Sequence, residues 1–179
     1  MEKGRSTHVS EPGAQPGGYS GIMLRTGLFG GGMIALIVFL DLAVSEKSAR
    51  LAVLRGILIL AAVGEGLGGT FGVFRPRWFN ERIGRPYSPA YHGVVQDFGF
   101  YNLTFALLFA LAALDPTRGT IVIAAAISLY TIHGLTHIFR CFGLYYGGGT
   151  PIPTRPPHFE LRDGLTLIAP ATGMLLFFP

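Results

Sequence analysis

"LAVLRGILILAAVGEGLGGTFGVF", residues 51–74, holds one guanidinium and one carboxylate, Arg55 and Glu65, in an otherwise uncharged run. A helix of that length rises about 36 Å, more than the roughly 30 Å of a bilayer's hydrocarbon core. A helix is stable there because it satisfies its own peptide groups. Comparable apolar runs occur at 20–40, 98–114 and 119–143. Half of the 179 residues are apolar and 13% are charged, against roughly 25% charged in soluble domains. These features predict an all-α integral membrane helical bundle with spans near 20–43, 50–73, 93–114 and 118–143. A fifth segment, 161–178, carries Pro170. Its apolar part, 165–179, rises only about 22 Å, so it is expected to be a short fifth span or to pack part-way against the bundle.

The flanks fit this frame. Residues 1–19 are polar and rich in glycine and proline, without the apolar core and small-residue cleavage site of a signal peptide. They predict a disordered cytoplasmic tail ahead of one bundle, 20–179. Ten of the fourteen basic residues lie in or beside the tail, the 74–92 loop and the 141–162 loop. Lys47, Arg50, Arg55 and Arg118 lie on the other side. That asymmetry predicts a cytoplasmic amino terminus in a bacterial inner membrane protein with several passes. The two basic loops are rich in proline, glycine and aromatics, which predicts turns rather than helix. Trp78, Tyr87, Tyr91, Tyr145 and Tyr146 suit the headgroup layer. The single cysteine, Cys141, excludes an intrachain disulfide and a multi-cysteine metal site. The charge spread among loops reads as topology, with lipid and not nucleic acid as the partner.

Gly27 and Gly31 stand four apart in the first span, as do Gly64, Gly68 and Gly72 in the second. Small residues at that spacing let membrane helices approach closely. They predict packing of helices 1 and 2 on each other, or association with a second copy or a partner subunit through them.

The polar groups inside the spans carry the functional question. In "LYTIHGLTHIFRC", 129–141, a turn of about 100° per residue puts Tyr130, His133, His137 and Arg140 on one stripe, with Ile132, Leu135 and Phe139 behind it. Counting along the helices, Glu65, His92, Asp97, Asn102, His133 and His137 come to one stratum on the cytoplasmic side. A charge near the bilayer centre costs roughly 2.5–3.5 kcal/mol, so such residues are functional candidates by default. Three chemistries suit the set. His133 and His137 with Asp97 or Glu65 could hold a divalent transition metal as a two-histidine, one-carboxylate site. His92 paired with His133 or His137 could hold a b-type haem. The same groups, with Tyr130 supplying a hydroxyl and His92 and Asn102 at the mouth, could form a metal-free pocket or proton path. A structural alternative is an accessory subunit whose polar stripe meets partner helices in a larger membrane complex.

From about 52 to 140 the chain resembles a group of small multi-span bacterial membrane proteins of uncharacterised function. The resemblance rests on "FRPRWFNERIGRPY", "YHGVVQDFGFYNLTFALLFALAALDPTR" and "IHGLTHIFR". It implies special positions at His92, Asp97, Gly99, Asn102, Leu103, His133 and His137, and it implies no reaction. No phosphate-binding loop, nucleophile elbow, kinase motif or zinc-protease motif is present. Whether the chain is an enzyme stays open at this point.

Overall fold

The computed structural model describes residues 19–85, 87–144 and 156–179. Among them the elements are α1 (Tyr19–Ala43), α2 (Lys47–Phe74), a short α3 (Pro76–Arg82), a 3-10 turn (Pro89–Tyr91), α4 (His92–Leu114), α5 (Thr120–Cys141) and α6 (Pro157–Leu176). Strands are absent among the described residues, and α1, α2, α4 and α5 are long and apolar enough to cross a membrane. The chain is an all-α helical bundle of the multi-pass membrane type. The expected tail, Tyr145, Tyr146 and most of the second loop lie outside the described residues.

The bundle has two ends. At the Arg75 end lie the start of α1, the turn from α2 through α3 to α4, the end of α5 and the start of α6. At the Arg50 end lie the α1–α2 and α4–α5 turns and the end of α6. The nineteen residues 56–74, between Arg55 and Arg75, contain one charge, Glu65. They rise about 28 Å, the thickness of the hydrocarbon core, so Glu65 stands close to mid-depth. This is deeper than the cytoplasmic stratum expected from counting along the helices.

α6 differs from expectation. It begins at Pro157, four residues ahead of the predicted start, because proline's fixed φ suits the first helical position. Its twenty residues rise about 30 Å, enough to run the height of the bundle. α6 is wedged between α1 and α5 and also touches α2, so its polar first turns face protein and need little hydropathy. At its far end Arg50 binds the Asp41 carboxylate at 2.9 Å and donates to the Leu176 carbonyl at 2.6 Å and the Val44 carbonyl at 3.2 Å. The guanidinium also lies 5.0 Å from the centroid of the Phe177 ring.

The glycines do not serve the predicted pair. α1 and α2 barely touch; α2 packs on α4, and α1 on α6. A Cβ on Gly69 would lie 2.7 Å from the Gly99 carbonyl oxygen, and one on Gly99 would lie 2.7 Å from the Val73 nitrogen. Gly72 meets Gly99 as well, so α2 uses a ridge of residues three apart, not the row four apart. Gly30 of α1 receives Leu165 of α6, while Gly31 and Gly64 have nothing within 4 Å. Gly134 of α5 and Gly164 of α6 form a second close crossing, each Cβ position falling 2.9–3.0 Å from the other's carbonyl oxygen. A ridge of small residues shows that a helix can be approached, not which helix approaches it.

The first basic loop is also more ordered than its composition implied. Pro76 at the first helical position starts α3, and Gly84, with φ of 78°, ends it in the left-handed region. Gly84 lies against the Phe159 ring, which seats this loop over the start of α6.

Candidate functional site

α5 presents Ile123, Ala126, Tyr130, Gly134 and His137 as its buried seam, a row of i, i+3 and i+4 positions. Ile132, Leu135 and Phe139 are exposed, as the stripe geometry required for a lipid-facing back. The stripe divides between two interfaces. Tyr130 Oη donates to the Glu65 carboxylate of α2, with the Phe109 ring edge-on at 5.6 Å. Two turns away, about 10 Å along the axis, His137 Nδ1 and Glu160 Oε2 of α6 share a hydrogen bond of 2.5 Å. These two side chains are 4% and 9% exposed.

His133 lies between the two pairs. Its ring centroid is 4.8 Å from that of His137, with the planes 31° apart, and it is exposed on its other side. The start of α6 closes the Arg75 end of the site. Arg162 binds Asp163 at 2.8 Å and covers the Phe159 ring at 4.9 Å, and the His158 ring lies 4.4 Å from that of Phe159. Cys141 is half-buried.

The other predicted residues do not join this row. Asp97 is exposed, with no hydrogen-bond or ion-pair partner among the described residues. Its neighbour Gln96 donates to the Val73 carbonyl at 3.1 Å, which places this register beside Arg75 and at the headgroup boundary. His92 and Tyr87 Oη are 2.7 Å apart at the loop surface, so His92 turns to its own loop and not toward His133 or His137. Asn102 is half-buried, its amide 3.3 Å from where a Cβ on Gly68 would stand, one turn from Glu65. The expected single network of Glu65, Asp97, His133 and His137 is therefore two separate pairs plus an isolated surface acid. Among the described residues no three His, Cys, Asp or Glu side chains gather closely enough to hold a metal ion.

Glu160 was missed. The sequence puts it in the 141–162 loop, whereas Pro157 at a helix start places it in the first turn of α6, where a carboxylate suits the helix dipole. That proline was the available signal. Comparison with protein-family models, with curated proteins and with solved structures found no match to this chain.

Proposed function

We propose that this is a proton-handling protein of the bacterial inner membrane, with a buried histidine–carboxylate site opening toward the cytoplasm at its Arg75 end. One observation carries the reading. Glu160 and Glu65 bond to His137 and Tyr130 on a single seam of α5, with His133 between them. Imidazole changes charge between about pH 5 and 8, and a carboxyl group can hold a proton as donor or release it as acceptor to a neighbouring imidazole or hydroxyl. A proton can thus be held at either pair, with His133 one turn from both. Proton handling is preferred to metal binding because, among the described residues, no three His, Cys, Asp or Glu side chains are grouped so as to hold a metal ion.

The test is an infrared titration of the detergent-solubilised protein. A protonated-carboxyl band that Glu65→Gln removes, and a second, pH-dependent signal that Glu160→Gln removes, are expected. If neither variant alters the carboxyl region at any pH, the reading fails. Orientation rests on the ten basic residues in or beside the tail, the 74–92 loop and the 141–162 loop. An introduced cysteine at Arg82, in a Cys141→Ser background, should resist an impermeant reagent in intact cells.

Asp97 favours a second reading, an accessory subunit that meets a partner helix. An exposed carboxylate on a spanning helix with no described partner suits a contact made in a larger complex. Photo-crosslinking from position 97 in cells would yield a discrete adduct under this reading and only lipid under the first.

A further inference from the structure

We propose that the groove at Arg55, at the Arg50 end, binds the phosphodiester of an anionic phospholipid, with one acyl chain along α2 and α4. The groove measures about 280 Å³ and is lined by Arg55, Ile59, Ala113 and Leu114. Arg55 Nε donates to the Ala113 carbonyl at 2.9 Å, one of the carbonyls that the end of α4 leaves without a helical partner. That bond fixes the guanidinium plane. Its two terminal nitrogens have no partner among the described residues and stay available for the paired donation that suits a phosphate.

Two of the three other cations at this end are committed, and the third, Lys47, stands about two turns away at the start of α2. Arg50 is held by Asp41 and two carbonyls, and Arg118 by Asp115 at 3.2 Å. Asp115, the nearest acid in sequence, turns to Thr117 and Arg118, and no carboxylate lines the groove. Depth agrees with charge. Arg55 bounds the stretch 56–74 of α2, which rises about 28 Å and holds only Glu65 as an ionisable group at its middle, so its guanidinium sits at phosphate level. Ile59 and Leu114 are 49% and 77% exposed, an apolar wall running from that level into the hydrocarbon. Charge and wall together fit a lipid and not a free anion.

Thermal unfolding of the full chain in detergent, with phosphatidylglycerol, phosphatidylcholine or inorganic phosphate added, tests this. Phosphatidylglycerol should raise the unfolding temperature of the natural protein by several degrees, because a ligand bound only by the folded state stabilises it. Arg55→Gln should lose that rise. An equal rise in Arg55→Gln, or with phosphatidylcholine, would overturn the proposal. An equal rise with inorganic phosphate would assign the site to a free anion and overturn the lipid. Should Arg55→Gln fail to fold, Leu114→Trp decides: it keeps Arg55 and fills the groove, so an undiminished response to phosphatidylglycerol would also overturn it. Native mass spectrometry should show one retained phosphatidylglycerol in the natural protein and none in either variant.

Discussion

The Arg50 half and the Arg75 half of the bundle are held together differently. In the Arg50 half, α2, α4, α5 and α6 share one apolar core whose largest fully buried members are Leu54, Leu58, Phe109, Ile123, Met174 and Phe177. That core ends at Tyr130. Beyond it, toward Arg75, packing resolves into two glycine seams, α2 on α4 and α5 on α6, with Glu65 reaching across between them. Lipid supplies no hydrophobic drive between helices, so close packing and polar contacts must hold the second half. The comparison teaches that the half poorest in shared core is the half that carries the buried histidine–carboxylate pair.

The largest effect should come from breaking the buried pair. His137→Leu removes the imidazole from its 2.5 Å bond to the buried Glu160 and should cost about 3–5 kcal/mol. The double variant His137→Leu/Glu160→Met should lose less than the single one. Unfolding of both in one detergent checks this, and strictly additive losses would mean that the pair does not hold its half together.

Next come the glycine seams. Gly99→Ala forces a methyl against the Val73 backbone and should cost about 1–3 kcal/mol. Gly64→Ala, with open space around it, should be neutral or stabilise by up to about 1 kcal/mol through helix propensity. Similar values for the two would remove the distinction between a seam and a lipid-facing glycine.

Smaller again is the bridge between the seams. Tyr130→Phe should cost about 0.6 kcal/mol, with about 1.7 as the ceiling for a hydrogen bond between membrane helices. A larger loss, shared non-additively with His137→Leu, would make the two pairs one network after all.

The smallest effect lies at the Arg50 end. The Thr117 hydroxyl, with the Arg118 amide and charge, holds the Asp115 carboxyl below its usual range. A depressed folded-state value means that this contribution is present above about pH 4 and is lost as pH falls through the lower value. Asp115→Asn should therefore lower stability slightly at neutral pH, where the contribution is fully present, and flatten the acid side of the profile.

Much of this architecture was legible in the residues. The four long spans follow from uncharged length, and their predicted ends fall within three residues of the helices. The polar stripe on α5 follows from a 100° turn, and its apolar back is where the geometry put it. What could not be read was partnership. Tyr130 and His137 share a stripe direction, yet Tyr130 reaches Glu65 of α2 while His137 meets Glu160 of α6, a matter of tilt and crossing that no local pattern encodes. α6 was read as too short because its first turns are polar, and polarity inside a bundle is decided by neighbours. Pro76 and Pro157 did mark helix starts, and the richness of their loops in turn-forming residues outweighed them.

The wedge position of α6 has a consequence for biogenesis. Among the described residues α1 has as its one extensive contact α6, a helix synthesised more than a hundred residues later. Until α6 arrives, α1 must wait in lipid as a lone span. α6 in turn carries Glu160, Arg162 and Asp163 and is poorly suited to partition from a translocon unaided, so α1 and α5 would have to receive it. Assembly of this bundle would then be completed only after its sixth helix is made, and a chain stopped before Pro157 should leave α1 detached and open to quality-control proteolysis while α2 and α4 are already paired.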